Sequence, residues 1–383
     1  MARALYIHWP FCLKKCPYCD FNSHVRASVD HDAWLSAMLA DMRHEAELAG
    51  GEALDSIFFG GGTPSLMPPA LAGALLSEAE RLWGFAPEVE ITLEGNPSSV
   101  EAANYAALAS AGINRVSLGL QSLDDAALTF LGRLHGVKEG LAALDVAQRH
   151  FSRVSFDLIY ALPGQTEAQW EAELRRALAF GTTHLSLYQL TIEPGTRFAT
   201  DVRQGGFIPL DDDAAADLFS LTRDITSSAG LPAYEISNHA ARGEESRHNL
   251  TYWRYRDYAG IGPGAHGRRH SVATQRHRKP ENWLGAIGSQ GHGIVEQSTL
   301  PRAEQASEAL LMGLRLAEGV DLAMLARRFD LPVGQLLDHA KVERYLALGL
   351  LWRDQARLGV SDSGMPLLDA LLGEIVSEQL VTA

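Results

Sequence analysis

Between residues 5 and 190, short apolar runs rich in β-branched residues alternate with longer stretches that carry small or apolar residues at helical spacing. The pattern predicts strands at 5–9, 56–59, 88–93, 115–119, 153–159 and 184–190, and helices near 31–49, 69–83, 99–111, 137–149 and 167–180. Asp30 and Ser98 stand where helix N-caps belong. Repeated strand–helix alternation dictates an α/β fold with a parallel sheet and right-handed crossovers. Curled into a partial (β/α)6 TIM-like barrel, such a sheet brings the C-terminal ends of its strands onto one rim, where functional residues collect.

The residues just past each predicted strand give that rim a chemical character. After the first come Cys12, Cys16 and Cys19, spaced C-x-x-x-C-x-x-C, and the 383 residues hold no other cysteine. An odd count of clustered thiols fits a metal or iron–sulfur site better than a disulfide framework. Three thiolates leave one iron of a four-iron cubane without a protein ligand, and an open coordination position is where chemistry takes place. The same thiols with His8 or His24 as a fourth ligand would make a closed zinc site. Gly60-Gly61-Gly62-Thr63-Pro64 comes after the second strand, Glu94-Gly95-Asn96-Pro97 after the third and Gln121 after the fourth, while Asp157 lies towards the end of the fifth. The glycine run is neither a P-loop nor a dinucleotide fingerprint. Taken singly, these residues have plainer roles: Glu94 and Asp157 as caps or solvated acids, Arg133 as a surface ion pair, Gln121 as a partner for loop backbone, and Tyr6, Phe11 and Tyr18 as core aromatics. Convergence on one rim favours a site.

The segments YIHWPFC…CPYCDF, GGGTPS, SLGLQS, LGRLH and FDLIYALPGQT resemble the radical S-adenosylmethionine (SAM) superfamily. Within it they resemble the branch that holds anaerobic coproporphyrinogen III dehydrogenase and the HemW-type haem chaperones, from about residue 4 to the C-terminus. The resemblance implies a 4Fe-4S cluster on Cys12, Cys16 and Cys19, with SAM on the free iron. It further implies that Tyr6, Gly61, Gly62 and Thr63 contact SAM, that Glu94, Gln121 and Asp157 bond its polar groups, and that Arg133 meets a carboxylate. Reduction of the sulfonium by one electron from the cluster would release a 5′-deoxyadenosyl radical, and an electron donor must then reach the cluster.

A second region, 242–279, carries nine Lys or Arg against Glu244, Glu245 and Asp257, in a chain of net charge −14. It holds His248-Asn249-Leu250-Thr251-Tyr252-Trp253, then a glycine-rich turn ending in His266-Gly267. Imidazole ligates haem iron, aromatic rings pack on a macrocycle and arginines pair with propionates. H-N-x-x-Y-W resembles the haem-binding signature of HemW-type proteins, which makes His248 the leading candidate ligand ahead of His239 and His266. The dehydrogenases carry a further cysteine two positions after the third, where Phe21 stands here. They also have an extension before the Y-I-H motif and lack H-N-x-x-Y-W.

The domains expected are a radical-SAM core over 1–235, an extension with the basic haem-binding segment over 236–299, and a winged-helix-like accessory domain over 300–383. In the last, helices are predicted at 304–315, 322–329, 333–339 and 367–377, with a hairpin within 350–360 and Met312 and Met324 in the core. The acidic balance argues against nucleic-acid binding. No apolar run approaches the roughly 18 residues of a spanning helix. The opening MARALYIHWPF lacks a secretory pattern, so a cytoplasmic location is expected, with peripheral membrane association left open. The expected function is a haem chaperone that binds haem, cluster and SAM and hands haem to acceptor haemoproteins. The alternatives are an oxygen-independent coproporphyrinogen III dehydrogenase and a zinc-stabilised α/β binding module.

Overall fold

The computed structural model describes residues 3–26, 28–50, 52–355, 357–377 and 380; the first two residues of the opening segment and the last three of the chain lie outside that set. Six parallel strands stand side by side in chain order: β1 (Ala4–Trp9), β2 (Leu54–Gly61), β3 (Phe85–Gly95), β4 (Arg115–Gln121), β5 (Arg153–Tyr160) and β6 (His184–Gln189). Their near-continuous burial is what helices packed on a parallel sheet require. Two short strands from the expected extension complete the sheet. β7 (Asn238–Ala240) pairs antiparallel with β6, and β8 (Ala259–Ile261) pairs parallel with β1. The order is β8-β1-β2-β3-β4-β5-β6-β7, and the two ends do not pair, so the barrel is open. Residues 236–299 thus lend the barrel sheet both its edge strands, while His266–Arg269, Val272–Arg276 and Ile294–Thr299 form a separate three-stranded antiparallel sheet.

The helices that cover the sheet begin where the sequence places their caps. Asp30 accepts from Ala33 N at 3.1 Å at the start of α1 (His31–Ala49), which buries Trp34, Met38 and Met42. α2 (Pro69–Trp83) and α3 (Val137–His150) come after their strands as predicted, and α4 (Glu167–Leu178) opens on a Thr166/Gln169 capping box. The helix expected over 99–111 is two pieces, Ser99–Ala102 and Tyr105–Ser110. α5 (Asp212–Ser228), capped by Asp211, has no counterpart among the predicted helices, and α6 (Arg247–Trp253) contains the H-N-x-x-Y-W segment.

Beyond residue 300 a second core forms around Leu310, Phe329, Val342, Leu358 and Leu371. Helices Arg302–Gly313, Leu322–Phe329, His339–Ala347 and Leu368–Ile375 pack around a three-stranded antiparallel sheet of Val320–Asp321, Leu351–Asp354 and Arg357–Val360. The predicted hairpin is present. The predicted 333–339 helix is not: Val333–Gln335 is one 3-10 turn, and the helix starts only where Asp338 caps Lys341 N at 3.1 Å. Met324 is exposed rather than in the core. Among the described residues no helix is long and apolar enough to cross a membrane.

Candidate functional site

β1 ends at Trp9 and the chain runs into the cysteine loop. Phe11–Cys12 pairs with His24–Val25, which closes the loop, and Cys19 N donates to Cys16 O at 3.2 Å across its tip. All three thiols are free and half-buried, and burial pushes those of Cys12 and Cys19 up. They line one cavity of about 130 Å³ together with Gly61, Gly62, Thr63, Glu94, Gln121, Arg133 and Asp157. The structure thus brings together ten of the predicted site residues, contributed by the ends of β1 to β5 and the loops beyond them.

Both imidazoles that would close a zinc site are occupied elsewhere. His8 Nδ1 pairs with the Tyr6 hydroxyl at 2.9 Å and its Nε2 with Asn22 O at 2.9 Å; His24 Nε2 pairs with Asn22 Oδ1 at 3.3 Å. Among the described residues, no three His, Cys, Asp or Glu side chains are placed to hold a single metal ion. The thiols ring a cavity instead. Thr63 Oγ1 donates to Cys12 Sγ and Arg133 Nη1 to Cys16 Sγ, each at 3.4 Å. Donors aimed at sulfur stabilise negative charge on a thiolate.

The glycines hold the loop against the strand. Gly62 N donates to Trp9 O at 2.7 Å and Thr63 N to Phe11 O at 2.8 Å. A Cβ on Gly62 would stand 2.7 Å from Phe11 O and 2.8 Å from Pro10 C, both backbone atoms. Close approach of two backbone segments is why glycine stands here.

Glu94 is recessed in the cavity, accepting from Gly61 N at 3.2 Å, and Asp157 accepts from Ser117 Oγ at 3.0 Å. Burial, reinforced by the charge of Asp157, pushes Glu94 up to about 8. Burial likewise lifts Asp157 to about 6. Neither is a helix cap. Gln121 adopts φ 67 where β4 slips register against β5, a left-handed backbone that a non-glycine residue rarely takes. Its Oε1 and the Arg133 Nε are buried without a partner among the described residues, which leaves polar capacity for a ligand. Arg133 also donates to Gly119 O at 2.8 Å and to Asn96 Oδ1. Asn96, whose Nδ2 reaches Thr63 Oγ1 at 3.1 Å, is a site residue that the sequence pattern shows only as part of a turn.

A second cavity of about 410 Å³ adjoins the first; Phe21, Gly61 and Glu94 line both. Tyr6 belongs to this second cavity, with Phe58, Tyr252, Tyr258, His266 and Arg278. His248 does not reach it. At 1% exposure it lies behind the wall, stacked on Phe58 at 4.8 Å and on Tyr6 at 6.2 Å. Its Nδ1 pairs with Ser56 Oγ at 3.2 Å and its Nε2 with the Tyr252 hydroxyl at 2.7 Å. Burial next to Arg115 lowers its pKa to about 3, so the ring is neutral. In this arrangement His248 supports the aromatic wall and offers no nitrogen to iron. His239 is buried too, its Nδ1 on Thr226 Oγ1 at 2.9 Å.

The basic region divides between exposed residues and the buried Arg268, Arg269 and Arg276, and several of its members are paired. Arg247 pairs with Glu88, Arg254 with Glu318 and Arg269 with Glu45. Arg276 is wholly buried, with Nε 2.7 Å from Asp41 and Nη2 2.9 Å from Glu45. The guanidinium of Arg268 lies 3.5 Å over the Tyr255 ring.

A parallel β/α barrel whose first strand runs into a C-x-x-x-C-x-x-C loop is the architecture of radical SAM proteins. The sequence profile of the radical SAM superfamily matches residues 6–177, and that of the HemN C-terminal domain matches residues 300–367. The chain is 40% identical to the mouse radical S-adenosyl methionine domain-containing protein 1, mitochondrial, over 96% of this chain and 86% of that protein. It is 38% identical to the heme chaperone HemW of Escherichia coli, over 82% of this chain and 83% of that one. Coproporphyrinogen III oxidase (HemN) from E. coli superposes with a TM-score of 0.82 over 97% of this chain and 89% of that one, at 22% identity, a likeness of fold. The chain belongs to the radical SAM superfamily and, within it, to the HemW-like group.

Proposed function

We propose that this protein is a haem carrier that holds a 4Fe-4S cluster on Cys12, Cys16 and Cys19, binds SAM beside it, and delivers haem to acceptor haemoproteins. The observation that carries the reading is the pair of adjoining cavities, one ringed by three thiols and charged groups, the other walled by aromatic rings. The donor set fits the cluster: soft sulfur, no imidazole free to complete a single-ion cage, and hydrogen bonds to two of the three sulfurs. When bound, cluster and SAM together supply one-electron chemistry at a sulfonium carbon. The chain's own residues do the positioning. Glu94 and Asp157 offer acceptors to a cationic ligand, Arg133 offers its unpartnered Nε and its charge to a carboxylate, and Gln121 is fixed by its strained backbone so that its amide faces the same space. The exposed Lys14 and Lys15 beside the cysteines suit an electron donor with an acidic face. The name of the E. coli relative, heme chaperone, supports haem as cargo.

Phe21, 61% exposed between the two cavities, stands where the dehydrogenases carry a further cysteine. The decisive test is an oxygen-free incubation of reconstituted protein with SAM, reductant and coproporphyrinogen III, alongside a haem-transfer assay to an apo-haemoprotein. The expected result is haem transfer without porphyrinogen turnover. Formation of protoporphyrinogen would replace the carrier with the dehydrogenase.

A further inference from the structure

We infer that His266, not His248, is the axial ligand of haem iron in the cavity beside the cysteine loop. The inference rests on the haem-carrier reading and assigns the residue within it.

Among the described residues two imidazoles line this cavity, His8 and His266, while His24 and His248 do not. His8 has both ring nitrogens paired, His24 is held by Asn22, and His248 is enclosed behind Tyr6, Phe58 and Tyr252. His266 is exposed, lines the cavity, and its side chain makes no hydrogen bond among the described residues. Burial of part of the ring and the nearby Arg278 lower its pKa, which favours the neutral form that binds iron. Tyr252 and Tyr258, which line the same cavity, meet edge to face at 4.5 Å and give a macrocycle an aromatic wall. Arg278, at the same mouth, suits a propionate directed outward.

His266 is also well positioned. It opens a strand, His266–Arg269, that pairs with Val272–Arg276. The preceding turn, Gly262-Pro263-Gly264, is clamped to the cysteine loop through Asn22, whose Nδ2 donates to Pro263 O at 2.9 Å and Arg278 O at 3.0 Å. A Cβ on Gly264 would stand 2.4 Å from that amide nitrogen, and the residue has φ +79, so only glycine allows the clamp. The loop that holds the thiols therefore fixes both flanks of the haem mouth, His266 and Arg278.

The test is titration of the full-length protein with ferric haem, with visible and electron paramagnetic resonance spectra recorded for wild type, His266→Ala and His248→Ala. The wild type should show an imidazole-ligated spectrum. His266→Ala should lose it with at least a tenfold loss of affinity, and added imidazole should restore the spectrum, which a merely structural role would not allow. Because His266 is exposed, its removal leaves the core intact. His266→Ala with wild-type spectrum and affinity would overturn the assignment while haem binding stands. Loss of the imidazole signature in His248→Ala alone, in a folded protein, would return the ligand to His248. A wild type that takes up no haem would overturn the carrier reading itself.

Discussion

Glu94 and Asp157 are two carboxylic acids held out of water in a cavity without a neighbouring counter-charge strong enough to keep both ionised. Their pKa values are raised, so the native state holds protons that the unfolded chain has released, and stability falls as pH rises through that interval. For Glu94 the window runs from its ordinary 4.5 to about 8, and for Asp157 from 3.8 to about 6. Glu94→Gln should therefore gain stability relative to wild type as pH rises from 5 to 8 in urea titrations of metal-free protein; a difference that stays constant with pH would refute the burial of the acid. A cation in the cavity reverses the penalty, so SAM should bind more tightly at pH 8 than at pH 6 and release protons, read by calorimetry in buffers of different ionisation enthalpy. At the sulfur positions, Cys16→Ala should lose the broad visible absorption of the cluster while the far-ultraviolet dichroism of the barrel persists. Full iron and sulfide in that variant would contradict its role. The cysteines are legible in the sequence because spacing alone displays them. The burial of His248 is not, because its neighbours Ser56 and Phe58 lie on β2, far away in the chain.

At the scale of elements, the strand ends are legible and the loop contacts are not. Each strand of the barrel announces itself by its apolar run, and the residues after it fall on the rim by topology. The edge strands β7 and β8 have three residues each, too short for any period to be read. By resemblance the glycine segment is expected to contact SAM, and its contact with Pro10 and Phe11 is a matter of packing that only the fold displays. Gly62→Ala forces a methyl group onto that backbone and should cut iron incorporation at Cys12 several-fold, measured as iron per chain after reconstitution. Full occupancy would mean that the loop can shift at little cost. The split of the 99–111 helix and the 3-10 turn at Val333–Gln335 show the same limit, since a helical pattern of apolar residues does not mark where a helix breaks.

Across the whole molecule, the arginines between 242 and 279 join parts that are distant in sequence. Arg276 meets Asp41 and Glu45 of α1 from more than 230 residues away and, with Trp283 packed on Trp34 at 5.1 Å, holds the 236–299 segment against the first helix of the barrel. Removing one member of a buried ionic cluster leaves charge without a partner, at a cost of about 3–5 kcal/mol. Arg276→Ala should lower unfolding free energy by that order in chemical denaturation, and a loss below about 1 kcal/mol would show that the carboxylates are solvated or protonated at little cost. The sequence displays an excess of basic residues but not their partners, so the island reads as one haem-facing surface when Arg268, Arg269 and Arg276 are buried inside the fold. Arg278, beside His266, is the member that the second cavity uses.

The proposed carrier function and any radical chemistry would both require Cys12, Cys16 and Cys19 to carry iron and sulfide with one iron open to SAM. Electron paramagnetic resonance of dithionite-reduced, oxygen-free protein, recorded with and without SAM, measures that directly. The expected result is a reduced-cluster signal that changes shape when SAM is added. A silent spectrum from protein containing one zinc per chain and no sulfide would contradict it.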